Sequence, residues 1–221
     1  MATFRLVERI GEGSYSKVYK AISETSQKVL AIKIINFRDA PKSYIQSREI
    51  KILRECSHPN IAPLLDFIVN EKTIYLVFEY FPMNLSQYYR YYRNIYNRNL
   101  DRTQIRNIII QICSALQYLH SKGIMHRDIK PENVMINPST QEIKLIDFGF
   151  AKPVDSNSHT GYMVTRWYRP LEIVLGLDYN QKVDVFAVGA IFLELLLGRE
   201  VFPSQSNMEQ LYMLLNVCGY P

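Results

Sequence analysis

H-R-D-I-K-P-E-N (His126 to Asn133), followed by K-L-I-D-F-G (Lys144 to Gly149), is the stretch that decides the fold of this 221-residue chain. Phosphoryl transfer needs an acceptor for the substrate hydroxyl proton, oxygen ligands for magnesium and a cation on the phosphates. Asp128 suits the first task, and Asn133 and Asp147 suit the second. Each motif is short and common by itself. The two in this order, with K-P-E-N attached, are far more specific.

Upstream, Gly11-Glu12-Gly13-Ser14-Tyr15-Ser16 separates two alternating stretches, F-R-L-V-E-R-I and K-V-Y-K-A-I. Glycines let backbone amides approach phosphates closely. A dinucleotide-binding turn would need a helix next, whereas K-V-Y-K-A-I predicts a strand. V-L-A-I-K-I-I predicts another strand, carrying Lys33, which as a plain edge lysine would snorkel to solvent. Helical spacing predicts a helix from Ser43 to Cys56, ended by His58-Pro59, and I-Y-L-V-F-E-Y predicts a further strand. Pro82 and Asn84 mark the boundary between a first part, residues 1–81, and a second, 82–221. Tyr88 to Asn99 predicts a peripheral helix and loop with partly exposed tyrosines, in preference to a base-stacking surface. Asp101 to Ser121 is the clearest helix, with Ile105, Ile108, Ile109, Ile112, Leu116 and Leu119 at near-helical spacing and Gly123 beyond. Val185 to Leu197, interrupted by Glu194, is too short to span a bilayer and predicts a helix buried nearly all round.

Composition permits one large domain or two small lobes. The formal charge of +5 and pI near 9.0 are spread without any long basic run, so solvated surface rather than nucleic-acid binding is expected. Cys56, Cys113 and Cys218 are odd in number and lack metal-ligand spacing, which predicts reduced thiols and an intracellular place, cytoplasmic or nuclear. No apolar h-region follows Met1, so neither a secretory signal nor a membrane association is expected.

The motifs together resemble the eukaryotic protein kinases, from about residue 4 to the last residue. That resemblance implies an α+β, two-lobed fold with a β-rich small lobe and a mainly helical large lobe, ATP and Mg2+ as cofactors, and protein substrates. Gly11 and Gly13 would cradle phosphates, although Ser16 stands where the family has its third glycine. Lys33 would bind the α- and β-phosphates and pair with Glu49. Val18, Ala31 and Met135 resemble the residues around adenine, Phe78 the gatekeeper, Glu79 to Phe81 the hinge, and Asn84 the ribose-facing position. Asp128 would orient the substrate hydroxyl; carboxylates are weak bases, so positioning and electrostatics must supply most of the rate. Lys130 would neutralise the transferring phosphoryl group, and K-P-E-N resembles the serine/threonine type. Asn133 and Asp147 would hold magnesium. His126 and Phe148 resemble members of a hydrophobic spine, with Leu53 and Leu64.

The activation segment, Asp147 to Glu172, resembles the branch of the mitogen-activated and cyclin-dependent kinases. Thr160-Gly161-Tyr162 matches a dual phosphorylation site. It implies an upstream activating kinase, with Arg48, Arg127 and Lys152 receiving phosphothreonine and Arg166 and Arg169 phosphotyrosine. Lys152 replaces an arginine, losing bidentate contact. Val164, Trp167 and Arg169 imply a preference for proline after the phosphoacceptor, because proline has no amide hydrogen to leave unpaired. Pro170 departs from the family's A-P-E and restricts Arg169 to extended backbone, while Phe186 replaces a tryptophan. The chain stops where the family continues into further helices. From this we expect marginal stability, a stabilising partner or a degraded gene product, and a binding or scaffold protein without efficient catalysis is the rival reading.

Overall fold

The computed structural model describes residues 3–13, 16–36, 48–70, 73–153 and 165–219. Contacts divide the chain into two units: Met1–His58 with Ala62–Pro82, and Pro59–Ile61 with Met83–Pro221. The division falls one residue after the expected one. Residues 59–61 join the second unit because Asn60 O accepts from Leu145 N at 2.8 Å and Asn60 Nδ2 donates to Gln111 Oε1 at 2.9 Å.

The first unit runs β1 (Phe4–Glu12), β2 (Ser16–Ser23), β3 (Val29–Asn36), α1 (Arg48–Glu55), β4 (Asp66–Val69) and β5 (Thr73–Glu79). The strands form one antiparallel sheet in the order β1-β2-β3-β5-β4. Alternation with β-branched residues suits a pleated surface with one packed face. Ile35, Ile74 and Leu76 from the sheet and Ile50 from α1 form the core, with Leu64, Phe67 and Phe78 against it. Each such side chain contributes about 1.5–3 kcal/mol on burial, which is what holds so short a helix on the sheet. The described helix begins at Arg48; the part predicted from Ser43, with Ile45, lies outside the described residues.

The second unit runs β6 (Met83–Asn84), α2 (Leu85–Tyr96), α3 (Arg102–Ser121), β7 (Ile124–Met125), β8 (Val134–Ile136), β9 (Ile143–Leu145), β10 (Lys152–Pro153), α4 (Leu171–Val174), α5 (Lys182–Leu197) and α6 (Asn207–Cys218). Short strands pair as β6-β8-β9 and β7-β10. A β-rich first unit and a helical second agree with the α+β expectation.

Asp101 caps α3 by accepting from Gln104 N, while Gln104 reaches back to Asp101 N. Such a capping box contributes about 1 kcal/mol. Ile105, Ile108, Ile112, Leu116 and Leu119 are buried as the spacing predicts. Ile109 is only half-buried. α5 ends at Gly198, φ 67°, where a Cβ would sit 2.3 Å from Asn99 Oδ1, so a larger residue would be strained and would displace the Asn99 side chain.

The helix α2 is peripheral with partly exposed tyrosines as expected: Tyr91 and Tyr96 are exposed, while Tyr88 and Tyr89 pack beneath it at 4 % and 3 %. One expectation needs correction. α5 is not buried all round: Val185, Phe192, Leu193, Leu196 and Leu197 are exposed. Arg102, Ile105, Arg106, Ile109, Phe192 and Leu196 line a groove of about 560 Å³ between α3 and α5. Among the described residues no helix is long and apolar enough to cross a membrane; Cys56 is buried, and Cys113 and Cys218 are exposed.

Candidate active site

In the first unit, strand pairing sets Gly11 opposite Val18, Val18 opposite Lys33 and Lys33 opposite Leu76. Ala31, two residues from Lys33 and on the same face, pairs with Phe78. Residues opposite one another share a face, so the sheet gathers Val18, Ala31, Lys33 and Phe78. The Lys33 Nζ contacts Glu49 Oε1 at 2.7 Å, with the side chains 17 % and 6 % exposed. The snorkelling alternative for Lys33 therefore fails: its ammonium is held by a helix carboxylate. Gly13 and Ser16 close the turn with reciprocal backbone bonds, and a Cβ on Gly13 would meet Ser16 Oγ at 3.0 Å. The serine in place of a third glycine thus packs on the second. Glu79 is exposed and Phe81 buried.

In the second unit the catalytic-loop residues converge on one carboxylate. Asp128, 1 % exposed, receives Lys130 Nζ at 2.7 Å and Asn133 Nδ2 at 2.8 Å on Oδ2. Its Oδ1 accepts from Thr165 Oγ1 at 3.0 Å and Thr165 N at 3.3 Å. Lys130 also donates to Thr165 Oγ1 at 2.8 Å. Asn133 Nδ2 gives a second bond to Asp128 O, so its Oδ1 is the atom left to turn toward a cation. Asn133 O accepts from Ile146 N, which ties the loop to the residue before Asp147. Asp147 itself adopts φ 62°, a sparsely populated region for a residue other than glycine. Backbone of this kind persists where the surroundings over-determine it. These donors fit a divalent cation: a neutral amide oxygen and a carboxylate are the hard ligands magnesium takes.

The loop's shape comes from α5. Asp184, 1 % exposed, accepts from His126 N at 2.9 Å, Arg127 N at 2.8 Å and His120 Nε2 at 2.8 Å. Those bonds hold Arg127 at φ 66°. His126 packs edge-on against the fully buried Phe148 at 5.0 Å. Arg127 donates to Phe150 O and to Tyr179 Oη. Lys152 is 4 % exposed, in β10 opposite Met125.

A further buried carboxylate, Glu194 on α5, accepts from Tyr89 Oη and Tyr168 Oη, each at 2.7 Å. Burial pushes the Glu194 carboxyl above its ordinary value, although the two hydroxyls pull the other way. Burial also raises the Tyr89 phenol to about 12 and the Tyr168 phenol still further.

Other expected residues have different company. Asn84 pairs with Met135 across β6 and β8, but its Oδ1 caps α2 through Gln87 N at 2.9 Å, which commits that oxygen to the helix. Arg166 donates to Gln205 O at 2.8 Å and Arg169 to Asn207 Oδ1 at 3.1 Å. Arg169 is extended, φ −79° and ψ 127°, as Pro170 requires. Thr160, Tyr162, Val164 and the Arg48 side chain lie outside the described residues. Among the described residues, sequence reasoning assigned no role to Thr165, Asp184 or Glu194. The last two carried a signal: each is an acid in an otherwise apolar helix, where a charge needs a partner.

The protein kinase domain family matches residues 4–218. A probable serine/threonine-protein kinase of Dictyostelium discoideum is 39 % identical over 226 residues, which take in 100 % of this chain and 43 % of that protein. The chain thus spans less than half the length of that relative.

Proposed function

The chain belongs to the protein kinase family, and from that premise we propose that it transfers the γ-phosphoryl group of ATP to serine or threonine of protein substrates. The observation that carries this reading is the buried Asp128 carboxylate, gripped on both oxygens by Lys130, Asn133 and Thr165. A carboxylate so held keeps one orientation, which is what an acceptor for a substrate hydroxyl proton needs. Thr165 Oγ–H on Oδ1 stands where a substrate hydroxyl would compete. Lys130 bridges Asp128 and Thr165 and supplies positive charge beside that place. K-P-E-N and the Dictyostelium relative's name support serine/threonine over tyrosine.

In the same reading Lys33, fixed by Glu49, carries the cation for the α- and β-phosphates, and Asn133 and Asp147 hold magnesium. Magnesium, when bound, offsets charge on the phosphate oxygens. Gly11 and Gly13 cover phosphates, and Val18, Ala31, Phe78, Glu79 and Phe81 of the first unit contact the nucleoside. The T-x-Y triplet supports control by an upstream kinase at Thr160 and Tyr162 in the manner of the mitogen-activated and cyclin-dependent branch. Arg169 and Trp167 support a preference for proline after the phosphoacceptor.

The test is phosphotransfer by the purified chain on a serine/threonine peptide library with ATP and Mg2+. Turnover should appear with wild type and vanish with Asp147→Asn, and proline should be enriched after the phosphoacceptor. Equal turnover in the variant would overturn the assignment.

A further inference from the structure

At least four hydrogen bonds fasten the short segment 166–169 to residues 204–210, just before and in the first turn of α6. Three involve its side chains: Arg166 to Gln205 O, Trp167 Nε1 to Ser204 O at 2.9 Å, and Arg169 to Asn207 Oδ1. The fourth grips its backbone, Gln210 Nε2 to Arg169 O at 3.3 Å. Gln210 is fully buried and Ser204 is 2 % exposed. Ser204 Oγ donates to Gln210 Oε1 at 2.6 Å. The Arg169 carbonyl settles which end of the amide faces which way: a carbonyl only accepts, so the NH2 must point at it, which leaves the amide oxygen to the Ser204 hydroxyl.

Resting on the kinase reading above, we propose that Gln210 is a positioning residue for the peptide substrate. It holds the backbone of Arg169 and so sets the pose of residues 165–169. One end of this run, Thr165, touches the Asp128 carboxylate; the other, Arg169, whose carbonyl Gln210 holds, is in the kinase reading the residue that sets selectivity after the phosphoacceptor. Five residues allow little slack, so a carbonyl free to rotate at 169 changes the direction of the Arg169 side chain. Ser204 acts one step further back, by orienting Gln210. Both residues bond to the segment 166–169, Ser204 O to Trp167 and Gln210 to Arg169, so the effect belongs to peptide recognition.

The experiment measures KM for ATP, KM for a peptide with proline after its serine, the discrimination against alanine there, and the melting temperature. It compares wild type with Gln210→Met, similar in length without the amide, and with Ser204→Ala. Losing a buried hydrogen bond corresponds to about a tenfold effect. Gln210→Met should raise the peptide KM about tenfold and shrink the proline preference, with KM for ATP unchanged. Ser204→Ala should move the same quantities in the same direction by a smaller factor, and decides the matter alone if Gln210→Met does not fold. An unchanged peptide KM in a folded variant overturns the proposal. So does a parallel rise of both KM values with a falling melting temperature, the mark of a purely structural residue. Absence of turnover by wild type on every peptide would instead retire the kinase reading.

Discussion

Lys33 and Glu49 in the first unit meet at 2.7 Å across a strand and an eight-residue helix, whereas Asp128 in the second is held on both oxygens by three neighbouring residues. In the first case the placement of α1 on the sheet, through Ile50 and its neighbours, decides whether the pair exists. In the second, several contacts fix one carboxylate, so losing any peripheral one leaves it nearly in place. The supports of the second unit nevertheless converge on a single residue, Asp184. Asp184 takes both backbone amides of His126 and Arg127, while side-chain contacts of the loop are shared among Ile146, Phe148, Phe150 and Tyr179.

The comparison can be broken most severely at Asp128. Asp128→Asn should lower kcat by about 10²–10⁴-fold, the usual worth of a proton acceptor, with KM for ATP changed only slightly; single-turnover kinetics separates the two. Asp184→Ala should come next. It leaves the amides of His126 and Arg127 buried and unpaired at about 1–3 kcal/mol each, and denaturant unfolding should record a loss of at least about 2 kcal/mol. Glu49→Gln should cost less, about 1–2 kcal/mol, because Lys33 keeps part of its surface in water and breaking even a buried pair costs about 3–5 kcal/mol. A larger loss there than at Asp184 would reverse the comparison.

The smallest effect concerns Glu194. Its carboxyl titrates above the ordinary 4.5 because burial disfavours its charge, so the folded state holds the proton more firmly than the unfolded. The stability it contributes is full below 4.5 and is lost as pH rises through the raised value. Glu194→Gln removes that slope. The stability of wild type relative to the variant should therefore fall as pH is taken from below 4.5 to neutrality, and a constant difference would contradict it.

Legibility from sequence followed the distance between partners. Asp128, Lys130 and Asn133 are five residues apart at most and sit in one motif, so their association was readable. The sheet was readable because alternating residues report a half-buried surface. Thr165 and Asp184 act on the same loop from 37 and 57 residues away, and no local pattern records such a meeting. The exposed side of α5 was hidden for another reason. When nearly every position is apolar, periodicity vanishes: Val185 and Phe192 are the same kind of residue as the fully buried Ile191. The capping role of Asn84 was missed because resemblance assigned that position to a ligand, while Gln87 three residues on was the available signal.

The carboxylate of Asp184 also has a consequence for the order of events during synthesis. His126 to Asn133 are translated long before Asp184, and the left-handed backbone at Arg127 has little of its own to sustain it. A nascent chain halted short of α5 carries every residue of the loop with its two amides solvated by water and its conformation unset. Ribosome-bound chains should thus gain protection of residues 126–128 from proteolysis only after α5 has left the exit tunnel, well after α3 has become helical.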